Sequence, residues 1–257
     1  MKSFKHSGAL GDLLYALPIV KHFGGGKLYL HLDQLNWIGQ HYYGSPPDPF
    51  HQGRMTESDY EFIKDFILAQ DYITDFEILD PASTMITHNL DRFRPLFVRH
   101  PSNYVNTYCM AFGINDQEIW DRISSELWFS VPQPKKITGK RFVINRSLRG
   151  FTPPGLNPFW TQWHDQQNSQ DSVFVGLPEE HTAFEQLVGW KVDYQPTKTL
   201  LEVAEIIAAC EQFIGNQSMA LALAQGLGVP YAYETRRDLP TDRNESYFPN
   251  HSWGKFF

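Results

Sequence analysis

Cysteine is scarce. The 257 residues carry two, Cys109 and Cys210, with no CxxC and no Cys/His cluster. That argues against a disulfide framework and a zinc site, and it leaves both thiols as buried apolar side chains. Positive charge is short as well. The formal net charge is −7, which argues against a broadly basic nucleic-acid surface and leaves room only for a local basic groove. No apolar run is long enough to cross a bilayer: the stretch from Ala9 to Val20 is broken by Asp12 and Pro18. A secretory leader pattern is missing too, so a soluble, cytoplasmic, reducing setting is expected. Low-complexity segments and short-period repeats do not occur. The dinucleotide fingerprint G-x-G-x-x-G and a metal-diphosphate D-x-D are also missing.

Apolar and aromatic residues, by contrast, are plentiful. Apolar residues make up 42% and aromatics 15%, enough to bury a substantial core and to exclude disorder. Strand-like and helix-like stretches alternate along the chain. Lys2–His6, the Ser7–Asp12 turn, an apolar stripe (Leu13, Leu14, Leu17, Val20), Gly24-Gly25-Gly26 and Lys27–Leu32 read as a βαβ opening. Residues 34–55 read as a long loop rich in aromatics. A helix over Glu57–Gln70, a strand over Tyr72–Leu79, a helix over Tyr104–Phe112 and a strand over Leu127–Val131 follow. Pro132-Gln133-Pro134-Lys135-Lys136 reads as a linker.

The alternation then restarts. Strands are expected at Arg141–Asn145, Ser172–Val175 and Trp190–Tyr194, and helices at Trp160–Gln167, Glu179–Leu187 and Leu200–Ala209. Gln212–Ile214 reads as a buried strand, Gly215-Asn216 as a turn, Ser218–Gln225 as a helix and Val229–Tyr233 as the next strand. The expectation is an α/β chain of two Rossmann-like domains facing a cleft, residues 1–134 and 135–257.

Several residues invite chemistry. The turn before Ser218 aims helix N–H groups at the carboxyl ends of the strands, a place that suits an anion such as a phosphate. Asp12 at the end of the first strand is either a helix N-cap or a carboxylate base. Arg146 and Arg149, in a Gly/Pro-rich turn after a strand, either meet a diphosphate or are solvated loop residues. Glu180 accepts ribose hydroxyls or favours the dipole of its own helix, and His181 reads as a surface or capping residue. His6 reads as a local hydrogen-bonding residue or an acceptor contact. Trp37, Tyr42 and Tyr43 stack on a ligand or cover the core.

Gly8-Ala9-Leu10-Gly11-Asp12-Leu13-Leu14-Tyr15-Ala16-Leu17-Pro18 resembles the N-terminal G-D-x-x-x-x-x-P segment of the ADP-heptose:lipopolysaccharide heptosyltransferases. Phe213 to Pro230 resembles their C-terminal D-S-G-x-x-H-x-A-x-A-x-G-x-P segment. The order and separation of the two also fit, and the resemblance is concentrated at the two ends of the chain. It implies a short, divergent GT-B glycosyltransferase. A nucleotide-sugar donor would lie mainly on the second domain, contacting Arg146, Arg149, Glu180, Asn216, Gln217, Ser218 and Met219. The acceptor would lie mainly on the first, near His6, Gly8 and Gly11.

The resemblance also assigns the base role to Asp12, in an inverting transfer expected to need no metal or other cofactor. Asn216 stands where the family has Asp, Gln217-Ser218 where it has Ser-Gly, and Leu221 near a customary His. These departures keep three readings open. The acceptor is a glycan or lipopolysaccharide precursor; or it is a hydroxylated pyrimidine in DNA, held by a groove from Arg92, Arg94 and Arg99; or the chain is a non-catalytic sugar-nucleotide or glycan-binding module.

Overall fold

Leu13 to Val20 are buried without a break, Pro18 included, so the first helix is enclosed on all sides and its apolar run becomes the centre of a core. In the computed structural model, described over residues 1–33, 55–99, 103–148, 158–234 and 254–256, the chain divides into two compact units. They are Met1–Ser125 and Glu126–Phe257.

The first unit holds strands β1 (Ser3–His6), β2 (Gly26–Leu30), β3 (Ile73–Ile78) and β4 (His88–Asn89), all parallel, in the order β3-β2-β1-β4. Its helices are α1 (Leu10–His22), α2 (Glu57–Leu68), α3 (Arg94–Arg99), α4 (Tyr104–Ala111) and α5 (Gln117–Ser125). A 3-10 turn, Leu90–Phe93, joins β4 to α3. Alternating burial along β2 puts Leu28 and Leu30 into the core, where Phe4, Phe66, Phe76 and Tyr108 join the α1 run. Helix α2 starts on a reciprocal cap: Thr56 Oγ1 accepts from Asp59 N, and the Asp59 carboxylate accepts from Thr56 N.

The second unit holds β5 (Phe142–Asn145), β6 (Ser172–Phe174), β7 (Asp193–Tyr194), β8 (Gln212–Asn216), β9 (Tyr231–Glu234) and β10 (Gly254–Phe256). They form one parallel sheet in the order β10-β9-β8-β5-β6-β7. Its helices are α6 (Pro158–Asp165), α7 (Pro178–Val188), α8 (Leu200–Ala208) and α9 (Met219–Gly226). All of β5 and β9 is buried, as is expected of parallel strands covered on both faces. Phe142, Ile144, Trp160, Trp163, Phe174, Phe184 and Ile214 fill the space beside the sheet.

Both sheets reverse direction inside. In the first, the chain runs β1 to β2 to β3 one way and returns to place β4 on the other side of β1. In the second, β5 leads to β6 and β7, and the chain returns to place β8 against the free side of β5. Each reversal opens a crevice at the carboxyl ends of two adjacent strands, β1 and β4 in one unit and β5 and β8 in the other. Open α/β sheets take their ligands there.

Three expectations from sequence are corrected. Leu127–Val131 is not a strand: Trp128 N and Phe129 N both donate to Gly226 O, at 2.8 and 3.0 Å, and the segment braces the end of α9. Gly215-Asn216 is not a turn but the end of β8, paired to β5 through Asn145 and Gly215. A Cβ at Gly215 would collide with the Asn145 carbonyl oxygen, so the close approach of these two strand ends requires glycine. Asp12 is not an N-cap. Helix α1 is capped by Ala9, and Asp12 stands in its first turn.

Candidate functional site

The crevice of the first unit is built from the residues that follow β1 and β4. Gly8, at φ 120°, takes a backbone conformation that other residues reach only under strain, and this lets the chain turn directly from β1 into α1. The turn brings Asp12 over the end of the sheet, where the 3-10 turn after β4 meets it. Arg94 reaches across with two arms: Nη1 donates to Asp12 Oδ2 at 3.1 Å, and Nη2 donates to Ser7 O at 2.5 Å. Its Nε stands 3.5 Å from Asp91 Oδ1. Asp91 in turn accepts from Ser7 N (3.0 Å), Ser7 Oγ (2.7 Å) and Lys5 Nζ (2.6 Å). Burial works against the Asp91 carboxylate, but His6 where it is protonated in acid, the Lys5 hydrogen bond and the charges of Arg94 and Lys5 outweigh it and hold the carboxyl below its usual range.

Beneath this network His6 is completely buried. Tyr108 Oη donates to Asp12 O at 2.9 Å and lies 3.2 Å from His6 Nε2. A carbonyl can only accept, so the single phenolic proton points at Asp12 O, and His6 must give its Nε2–H to Tyr108. The ring is therefore the Nε2–H tautomer. Its Nδ1 is buried with no hydrogen-bond partner among the described residues.

Burial brings the His6 pKa down to about 4, against the opposing pull of Asp91 and Asp12; Arg94 and Lys5 add to the lowering. A histidine that is neutral when folded and free to charge when unfolded stabilises the fold above its unfolded pKa of about 6.5. That stabilisation is lost as pH falls from there toward 4. The full swing amounts to about 3 kcal/mol. Urea unfolding at pH 7.5, 6, 5 and 4.5 is expected to show the decline, and His6→Asn to remove its part of the slope; an identical slope in the variant would assign the acid sensitivity to other groups.

In the second unit, Asn145 ends β5 and Asn216 ends β8. The Asn216 side chain is fully engaged across the crevice: Nδ2 donates to Ser147 O (2.9 Å), and Oδ1 accepts from Ser147 N (3.1 Å). Asn145 Nδ2 donates to Val175 O (2.7 Å), and its Oδ1 accepts from Ser218 Oγ (3.2 Å). Ser218 is the N-cap residue of α9, yet its hydroxyl does not cap the helix, because Asn145 holds it. The first-turn N–H groups of α9 are thus left without a side-chain cap beside the crevice. Gln217 Nε2, a donor next to them, is buried with no partner among the described residues.

The remaining predicted residues fall in different places. Arg146 is buried and its Nε donates to Glu234 Oε2 at 2.8 Å, so its charge meets a carboxylate at the end of β9. Arg149 lies outside the described residues, as do Trp37, Tyr42 and Tyr43. Glu180 accepts from Leu177 N at 3.0 Å, at the start of its own helix α7. Burial raises its pKa. His181 Nε2 lies 2.9 Å from Val192 O and its ring stacks on Tyr194, a structural setting. Met219 opens α9, and Gly11 is the second residue of α1. Arg92 is exposed beside the Phe112 ring, whereas Arg94 turns inward to Asp12 and Asp91. The side chain of Arg99 is outside the described set.

Sequence reading missed Ser7, Asp91, Tyr108, Asn145, Ser147 and Glu234, and it gave Arg94 a surface role. Asp91 and Arg94 stand three residues apart, a spacing that allows the two to meet but does not say that either turns inward. Burial pushes both cysteine thiols up to about 12, which disfavours the thiolate that a nucleophile needs. Among the described residues no group of three or more His, Cys, Asp or Glu is placed to hold a metal ion, and no helix is long and apolar enough to cross a membrane.

No protein-family model matches the chain, and no curated protein matches it in sequence. Solved structures do match. A family 9 glycosyltransferase from Veillonella parvula is similar over 100% of this chain and 85% of its own, at 12% identity and a TM-score of 0.63. TibC, an iron-containing dodecameric glycosyltransferase from enterotoxigenic E. coli, is similar over 98% of this chain and 61% of its own, at 12% identity and a TM-score of 0.54. TibC in complex with ADP-D-beta-D-heptose gives 13% identity and a TM-score of 0.51, over 98% of this chain and 61% of that one. The likeness is one of fold: α/β units with parallel sheets, matching glycosyltransferases of the GT-B kind, the fold that the family resemblance implied.

Proposed function

We propose that this chain is a glycosyltransferase that moves a sugar from a nucleotide-diphosphate sugar to an acceptor hydroxyl. The observation that carries the reading is Asp12. It stands at the strand-reversal crevice of the first unit with Oδ2 held by Arg94, while Oδ1 accepts no hydrogen bond from the described residues. A carboxylate with one oxygen fixed and the other not hydrogen-bonded by any described residue is suited to take the proton of an attacking hydroxyl. Attack from the face opposite the leaving group inverts the anomeric centre.

The donor diphosphate belongs in this reading to the second crevice. The uncapped N–H groups at the start of α9 and Gln217 Nε2 would meet its charge, with Ser218 Oγ joining them on leaving Asn145 Oδ1 and Arg149 adding a cation. Arg146 and Asn216 serve behind them, through Glu234 and Ser147, as the frame that fixes the loop after β5. Glu180 would accept from the ribose hydroxyls. These donors suit a leaving diphosphate without a metal bridge, and the acceptor in this reading is a glycan or a lipopolysaccharide precursor.

A thermal-shift panel of UDP-, ADP-, GDP- and CMP-sugars tests the donor site. A donor present at a hundred times its Kd stabilises the folded state by about 2.7 kcal/mol, a clear rise in Tm. Incubating the stabilising donor with glycan acceptors, and separately with hydroxymethylated DNA, then reads transfer directly. No shift with any of the four donor classes would sink the proposal. Binding without transfer or donor hydrolysis would leave a sugar-nucleotide binding module in its place.

A further inference from the structure

Arg94 lies outside the two sequence segments that suggested the chemistry, and its geometry gives it a specific task. It is the one described side chain that contacts Asp12 Oδ2, and the same guanidinium grips Ser7 O, the carbonyl just beyond β1. Its third nitrogen faces Asp91, which Ser7 and Lys5 fix from the other side. Burial disfavours the Arg94 charge, but Asp12, Tyr108 and Asp91 more than offset this, so the guanidinium stays charged. The backbone of the same residue, Asp12, is held independently by Tyr108 through its carbonyl.

We propose that Arg94 is the positioning residue of Asp12, locking one carboxylate oxygen so that the other faces the acceptor hydroxyl; this rests on the reading of Asp12 as the base. A planar fork is needed for the task. Lysine at 94 could satisfy either Asp12 or Ser7 O with a point charge, but it could not hold both in one plane. A misplacement of about 1 Å at a reacting group costs on the order of a hundredfold in rate.

The test uses the full chain and the variants Arg94→Gln, Arg94→Lys and Arg94→Gly. With a sugar nucleotide that the wild type turns over, Arg94→Gln is expected to lower kcat by about ten- to a hundredfold with the KM for donor unchanged. Arg94→Lys is expected to fall between the two, and added guanidinium to restore part of the Arg94→Gly activity. In an Asp12→Asn background the Arg94→Gln change is expected to cost no further rate, whereas a merely structural role would add its loss to that of Asp12→Asn. Unchanged kcat, a loss carried by KM, or additive losses would each overturn the proposal.

The Arg94–Asp12 link also has a readout that needs no substrate. In urea unfolding the losses of Asp12→Asn and Arg94→Gln are expected to be less than additive, the double variant unfolding close to the worse single variant. Additive losses would remove the link whether or not any donor is turned over. Non-additive losses without any turnover would keep the link and defeat the glycosyltransferase reading.

Discussion

Asp12→Asn is expected to lower sugar transfer by roughly a hundred- to ten-thousandfold, the span that a positioned general base contributes. Asparagine is nearly isosteric, so its side-chain oxygen can still accept from Arg94 Nη1, and Tyr108 still finds the backbone carbonyl of residue 12. What disappears is the carboxylate's capacity to take a proton. The fold itself is expected to lose about 1 kcal/mol, from the weakened Arg94 contact and one fewer negative charge in the first turn of α1.

Donor binding, which the proposal assigns to the second unit, is expected to stay as in the wild type. The pattern to look for is therefore a fall in kcat at unchanged donor affinity and a near-native Tm. Asp12→Glu would keep the charge but push the carboxyl out by one methylene, and is expected to recover part of the rate at most. Native turnover by Asp12→Asn would assign the proton transfer to another group and leave Asp12 as a helix-terminal anion.

How far the sequence made this legible depends on the distance over which each feature is encoded. Strands β1, β2, β5 and β9 are local matters of apolar runs bounded by turn residues, and they stand close to where those runs place them. The β8–α9 junction was recognisable because glycine, an Ala-rich helix and Gly228 follow one another. Even so, the strand continues through Asn216, a residue type that favours turns. It continues because its side chain bonds Ser147 on the neighbouring loop, a partner 69 positions away.

The same holds for Asp12. Its position after β1 is local, but its partner Arg94 is 82 positions on, beyond a β4 only two residues long, too short to alternate visibly. Three arginines over Arg92–Arg99 read as a basic surface for the same reason, since nothing local says that one of them turns inward. Leu127–Val131 shows the reverse error. Its Trp128 and Phe129 look like strand residues, yet aromatics that pack under a helix end have the same composition.

Glu234→Ala is expected to destabilise the second unit by about 3–5 kcal/mol, the range for removing one partner of a buried ion pair. Arg146 and Glu234 are 8% and 7% exposed, and Nε donates to Oε2 at 2.8 Å. Without the carboxylate the Arg146 guanidinium stays buried and loses the charge that Glu234 sets against its Nε. The pair joins the end of β5 to the end of β9 with β8 between them, so its loss also loosens the strand end that carries Asn145.

Glu234→Gln keeps an acceptor oxygen and is expected to cost less than the alanine change. The double substitution Arg146→Met with Glu234→Met is expected to recover most of the loss, because matched apolar side chains need neither desolvation nor pairing. Urea unfolding of the four proteins measures the series. If Arg146 instead served mainly to hold the donor diphosphate, the double variant would unfold like wild type yet bind no sugar nucleotide. Retained donor binding in that variant would assign Arg146 to the frame and leave the diphosphate to α9 and Gln217.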